Sequence, residues 1–287
     1  MKKWVKRTAM LLLAMVFLVS TARLIQKLTE QVEGAASYDI ARELLAEAPV
    51  PAVSLPPESK PASDPVEQTA PEPAEPIPMK TIWVPANVDD PVLEELSVLD
   101  LSALQEVNGE VLGWIRIPDT AIDYPLLQGE DNTYYLYHTW DHQNSSVGSI
   151  FLEHLNSPDF TDYNTIIYGH NMNDGAMFAE LKSFSEEEYW KAHPYIYIAA
   201  NEEVYRYEIF SCYRAGLQDP TYGLSFNQET TKEKFLAHAM EKSVIETGIE
   251  PPKTDRILTL STCFGDGSNT RWVVHARLEM VEMQIPA

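Results

Sequence analysis

Between Val111 and Met280 the chain is cut into short strand-like runs, and this pattern most restricts the folds open to it. The runs are Val111–Ile117, Ile122–Leu127, Ser149–Leu152, Thr165–Tyr168, Tyr195–Ala199, Val204–Tyr213, Arg256–Cys263 and Trp272–Met280. Turn-forming residues separate them, and one long helical segment, Asn227 to Glu246, interrupts the series with Phe235, Ala239 and Met240 at helical spacing. Short strands joined by turns bury their apolar faces most economically by closing on themselves. The expected fold is therefore mostly β: a closed, mainly antiparallel barrel of about eight strands, with the long helix before the penultimate strand. Asp89-Asp90-Pro91 followed by leucines at 93, 96, 99 and 101 predicts a capped helical segment ahead of the barrel, with another near Leu104 to Val111. No internal repeat is present.

Chemistry concentrates on the last two runs. Cys263 ends the apolar stretch Ile257-Leu258-Thr259-Leu260-Ser261-Thr262, and seven residues, Phe264 to Thr270, separate it from Arg271. The two runs read as a β-hairpin with Cys263 and Arg271 facing each other at its mouth. A thiol beside a fixed positive charge is how a fold activates a nucleophile. The plainer reading makes Cys263 a small core residue and Arg271 a solvated strand end. With only one other cysteine, Cys212, a Cys212–Cys263 disulfide is a further structural alternative.

A nucleophilic thiol needs a proton partner. Among the seven histidines, His170 follows the strand-like Thr165-Ile166-Ile167-Tyr168 through Gly169 and precedes the polar loop Asn171 to Gly175. That placement suits proton exchange. His275 is its rival, on the face of Arg271 by alternation, but four strand residues span about 13 Å. His138, His142, His154, His193 and His238 lack a motif and read as solvated surface. No histidine or cysteine pair has zinc-site spacing, so neither a metal nor another cofactor is expected.

The charge distribution separates the two ends of the chain. Residues 1–27 hold six of the 21 basic residues and none of the 43 acidic ones, leaving the rest at −28. So acidic a body repels phosphate backbones, which argues against nucleic acid as a partner. Residues 8–22 form an apolar run that spans about 23 Å as a helix, against about 30 Å of membrane hydrocarbon. Snorkelling of Arg23 adds Leu24 and Ile25. Residues 1–27 thus read as a basic amino terminus and uncleaved signal-anchor with the body outside the cell. A cleaved signal peptide ending near Ser20-Thr21-Ala22 is the rival. Residues 28–48 predict a juxtamembrane helix. Residues 49–78 hold ten of the twenty prolines and read, to about residue 80, as a stiff extended spacer. The remainder, 81–287, is large enough for one substantial domain.

Thr259-Leu260-Ser261-Thr262-Cys263 resembles the TLxTC signature of sortases, Ile167-Tyr168-Gly169-His170-Asn171 resembles their histidine motif, and Arg271 falls where their arginine follows the cysteine. The stretches Gly113-Trp114-Ile115, Ile122-Asp123-Tyr124-Pro125, Asp131-Asn132, Tyr134-Tyr135-Leu136, Gly148-Ser149-Ile150-Phe151 and Met177-Phe178 are similar in order and spacing to class B sortases. The resemblance covers residues 90–280. It implies a membrane-anchored cysteine transpeptidase that cleaves a carboxy-terminal sorting motif of exported proteins after Thr. The acyl group would pass to a cell-wall peptide amine or a pilus subunit. Cys263 would be the nucleophile, His170 the proton carrier, and Arg271 the substrate and oxyanion ligand. Ser261 is a candidate substrate contact, with a plain strand hydroxyl as its alternative. Asp266 reads as a solvated turn residue. The class implies an NPxTN- or PPxTG-like motif. A peptidase that passes its acyl group to water, and an inactive sortase-like binding module, are the competing functions.

Overall fold

The computed structural model describes residues 2–47, 79–85, 90–263 and 269–286. Eight strands close into a barrel: β2 (Val111–Arg116), β3 (Asp123–Leu127), β4 (Ile150–Leu152), β5 (Asn164–Gly169), β6 (Tyr195–Ala200), β7 (Glu203–Gly216), β8 (Ile257–Cys263) and β9 (Thr270–Leu278). Their order around the barrel is β2-β3-β4-β5-β8-β9-β7-β6, closed by pairing of β6 with β2. The sequence pattern located all eight to within a few residues. Two pairings, β3 with β4 and β5 with β8, are parallel. The remaining six are antiparallel. The expected run through Met280 divides: β9 stops at Leu278, and β10 (Met280–Pro286) pairs outside the barrel with β1 (Met79–Pro85).

Alternation along β8 and β9 builds two cores. Leu258 and Leu260 of β8, with Val274, Ala276 and Leu278 of β9, join the barrel interior. Ile257 and Val273 face the other way, against helix α5 (Glu229–Lys242) and its Phe235, Leu236 and Ala239. Met240 is 38% exposed, so Leu236 replaces it in the expected helical seam. The two short helices ahead of the barrel are α2 (Pro91–Ser97) and α3 (Ser102–Val107). Asp90 caps α2 by accepting from Val92 N at 2.9 Å, with Pro91 at the first position, where no intrahelical donor is needed. Another short helix, α4 (Glu187–Ala192), precedes β6.

The amino terminus is one continuous helix, α1 (Lys2–Glu47). It contains an 18-residue window of mean hydropathy 2.1, none of it buried, long and apolar enough to cross a membrane. A signal sequence passes the same test. Its carboxy-terminal third lies on the barrel: Gly34, Ser37, Tyr38 and Ala41 are buried at helical spacing. The expected proline-rich spacer lies outside the described residues apart from its last two, Met79 and Lys80, which open β1.

One close approach within the barrel depends on a missing side chain. A Cβ on Gly113 of β2 would lie 2.4 Å from the Ala199 carbonyl oxygen of β6, a rigid main-chain atom. Gly113→Ala must part the two strands, at a cost of about 1–3 kcal/mol. Thermal unfolding of the variant should show Tm lower by several degrees; an unchanged Tm would mean the strands can give freely.

Candidate active site

The site is assembled by strand register. Cys263 is the last residue of β8, and its antiparallel partner across the hairpin is Arg271. On the other side of β8, parallel β5 pairs Tyr168 with Ser261 and Gly169 with Thr262. One residue further on each chain places His170 beside Cys263. Adjacent strands lie about 4.8 Å apart. His170, Cys263 and Arg271, distant in sequence, therefore stand in one row across β5, β8 and β9. A cleft of about 340 Å³ beside the row is lined by His170, Ser261, Thr262 and Arg271.

His170 is half-buried, with Nε2 2.8 Å from the Leu136 carbonyl oxygen. Its own carbonyl accepts from Phe178 N at 2.8 Å, which ties the loop after β5 back to the strand end. Gly148 lies against the ring. Its φ of +63° suits glycine, and a Cβ there would sit 2.8 Å from His170 Cδ2. Arg271 is half-buried and lines the cleft beside them. Ser261 also lines it, 1% exposed, its Oγ 3.1 Å from the Tyr222 hydroxyl. Asp266 lies outside the described residues.

Other cleft residues went unassigned in the sequence. Asn132 and Tyr168 belong to stretches whose order and spacing marked the resemblance, yet nothing in their types gave them a place. The structure supplies the reason they hold still. Both donate to Oε2 of Glu153, Asn132 Nδ2 at 2.6 Å and the Tyr168 hydroxyl at 3.0 Å. Glu153 is 5% exposed and also meets His154 Nδ1 at 2.8 Å. Burial, with the Glu153 carboxylate beside it, pushes the Tyr168 phenol well above its ordinary pKa. Leu217 and Tyr222 enter from the segment between β7 and α5, where no local signal marks them.

The rival arrangements do not reach the row. His275 is fully buried, Nδ1 2.9 Å from Thr259 Oγ1 and Nε2 3.1 Å from both Thr221 Oγ1 and the Tyr213 hydroxyl. Burial pulls its pKa down to about 3. It is a neutral ring in a hydroxyl network, four strand residues or about 13 Å from Arg271. Cys212 carries no disulfide; its Sγ lies 3.0 Å from the Phe184 carbonyl, and burial pushes the thiol up to about 12. It pairs with Val274, two strands over and three residues along from Cys263. That offset is about 14 Å, twice the Cα separation a disulfide tolerates. Of the histidines expected on the solvated surface, His138, His193 and His238 are instead half-buried and pinned, to the Tyr134 carbonyl at 2.8 Å, the Pro118 carbonyl at 2.9 Å and Asp219 at 2.8 Å. Among the described residues no group of three or more His, Cys, Asp or Glu side chains could hold a metal ion.

A family model described as the sortase domain matches residues 115–279, more than half of the chain and all three residues of the row. The chain belongs to the sortase family, among the class B sortases. This sortase is 39% identical over 177 residues to the sortase B of Listeria monocytogenes, covering 62% of this chain and 70% of that protein. The solved Staphylococcus aureus sortase B–substrate complex superposes with a TM-score of 0.60 at 31% identity, covering 63% of this chain and 85% of the other. A sortase B complexed with triglycine gives a TM-score of 0.60 at 31% identity, covering 63% and 86%. The barrel and its amino-terminal helix match these structures, and the enzyme is a sortase-type transpeptidase.

The buried His275 of this sortase has a measurable consequence. Its folded pKa lies far below the unfolded value near 6.5, so the unfolded chain binds the proton first as pH falls. This contribution to stability is complete above about pH 6.5 and is lost on acidification towards pH 3, by up to about 1.4 kcal/mol per pH unit. Denaturant unfolding between pH 7 and 4 should show a shallower pH slope for His275→Gln than for the wild type. Identical slopes would mean that His275 is charged in the fold.

Proposed function

We propose that the enzyme cleaves the sorting motif of an exported protein after its threonine and joins the new carboxyl end to an amine on a cell-wall peptide or a pilus subunit. What supports the reading is one observation: β5 and β9 flank the end of β8, where Cys263 stands, and His170 and Arg271 from those two neighbours line one open cleft. The Cys263 thiolate attacks the carbonyl carbon of the Thr–Gly or Thr–Asn bond. Arg271 binds the substrate main chain and the oxyanion as it forms, its planar fork offering two donors at once. As the C–N bond breaks, His170 gives its proton to the leaving amine. The thioester left on Cys263 keeps enough of the peptide-bond energy to acylate a second amine without ATP. His170 takes the proton from that incoming amine, the C–S bond breaks, and the thiolate–imidazolium pair is restored. The same site serves both half-reactions. Ser261 lies two residues before Cys263 and contributes to the substrate wall.

Related structures support these partners: one is a substrate complex and another holds triglycine, a peptide with a free amine. The class resemblance favours an NPxTN- or PPxTG-like motif. We further place the enzyme on the outer face of the cell membrane, with residues 1–27 as basic terminus and anchor, 28–48 as the helix leaving the membrane, 49–80 as a proline-rich connection and 81–287 as the catalytic domain. Its support is the basic flank and the unburied apolar window of α1. Holding enzyme, substrate and acceptor on one membrane raises their effective concentrations.

Steady-state assays with sorting peptides and added amines test the reading. Cys263→Ala should abolish both cleavage and joining with the fold retained, and His170→Ala should lower kcat/KM by about 10³-fold or more. Arg271→Lys should fall by about 10²-fold, because a point charge replaces a fork. Cleavage that never yields an amine-joined product, with every amine tried, would assign the acyl group to water and make the enzyme a peptidase. Retained activity in Cys263→Ala would remove the nucleophile.

A further inference from the structure

Residues 134–149, between β3 and β4, touch the cleft with one side of their main chain and α1 with the other. Towards the cleft, the Leu136 carbonyl oxygen lies 2.8 Å from His170 Nε2. Gly148 packs so closely on the same ring that a Cβ would stand 2.8 Å from Cδ2 and 2.9 Å from the Leu136 oxygen. Towards α1, the segment is held at three places. The Tyr38 hydroxyl donates to the Gly148 carbonyl and lies 3.0 Å from Ser149 Oγ. Trp140 Nε1 donates to the Ser37 carbonyl at 2.9 Å, and Ser145 Oγ to the Glu30 carbonyl at 3.2 Å. Ser149 passes the hold inward, its Oγ donating to the His138 carbonyl at 2.8 Å and its N–H to the Tyr135 carbonyl at 2.8 Å. Tyr38 is 2% exposed, so its own two bonds form away from water.

Gly148 is therefore shared: α1 grips its carbonyl while its α-carbon bears on His170. Glu30 lies only about 7 Å of helix beyond Ile25, the end of the apolar run. The anchor segment and the grip belong to one uninterrupted helix. We propose that α1 is part of the active-site support, with Tyr38 a positioning residue that holds the Gly148 main chain, and with it the Leu136 carbonyl, against the ring of His170. The inference rests on His170 being the proton carrier. A buried carbonyl that loses its donor draws the chain elsewhere. Displacement of a reacting group by about 1 Å is enough to cost a large factor in rate. Tyr38 is not among the residues that line the cleft, so binding is spared. On this account the proline-rich segment does not set the height of the site above the membrane; the helix does.

Tyr38→Phe in the full chain, held in lipid nanodiscs, removes the hydroxyl and keeps the ring. We expect kcat to fall about tenfold with KM within twofold of wild type, a melting midpoint lower by a few degrees but a folded enzyme at the assay temperature, and displaced ¹H–¹³C resonances of the His170 ring. Unchanged kcat together with an unmoved His170 signature overturns the proposal, as does a loss carried by KM alone. Should Tyr38→Phe fail to fold, Trp140→Phe, which removes the bond to Ser37, carries the same expectations and the same refutation. The wild type and His170→Ala are assayed alongside. An inactive wild type or an active His170→Ala would defeat the functional reading, whereas an unmoved ring in an otherwise normal enzyme defeats only the role of Tyr38.

Discussion

The parallel pairing of β5 with β8 is the constraint on which the site depends. A hairpin alone brings Cys263 opposite Arg271, because β8 and β9 are neighbours in sequence and in space. It cannot deliver His170, which lies more than ninety residues earlier. Only when β5 joins the far edge of β8, in register from Asn164–Ile257 to Gly169–Thr262, does the histidine arrive beside the cysteine. A slip of one residue in either pairing would turn side chains to the opposite face of the sheet and dissolve the row. The apolar alternation that fills the barrel thus also fixes the geometry of the row. Leu258 and Leu260 point inward on β8, as does Ile167 on β5.

Around this row the fold uses its buried polar groups to hold things still. Glu153 gathers Asn132 and Tyr168 on one carboxylate oxygen at the cleft wall. His275, Thr259, Thr221, Tyr213 and Asn164 tie β5, β7, β8 and β9 together with neutral hydrogen bonds beneath α5. The long helix α1 grips residues 134–149 from the side away from the cleft. Of these three supports, Glu153 and α1 reach the cleft lining through one or two contacts each, and the hydroxyl network lies behind it. A transferase that carries an acyl group between two amines benefits from such rigidity, because both half-reactions use the same alignment.

Much of this was legible in the sequence, for physical reasons. Period-two alternation bounded by turn residues located the eight barrel strands, and the Asp90-Pro91 pair marked the start of α2. Thr259 to Cys263, Ile167 to Asn171 and Arg271 named the row because their types and spacing are unusual together. What stayed hidden depends on which distant elements meet. Nothing local in Asn164–Gly169 says that its partner is β8 and that the pairing is parallel. Nothing in Tyr38 marks it as a grip on Gly148, since a tyrosine in an amphipathic helix has many uses. Glu153 looked like any acid in an acidic chain until burial and two donors singled it out. The division of the last run at Leu278 turns on pairing between β10 and β1, strands far apart in sequence.

If sulfur, imidazole and guanidinium act together on one amide, the acyl group must pass through Cys263. Intact-protein and peptide mass spectrometry of the full chain, quenched in acid during reaction with a sorting peptide, tests this most directly. The predicted result is an adduct on Cys263 equal to the peptide up to its threonine, hydroxylamine-labile as a thioester should be, and discharged on adding an amine. Its formation should depend on His170 and Arg271. An adduct on another residue, or amine-joined product formed at full rate with Cys263 never acylated, would contradict it.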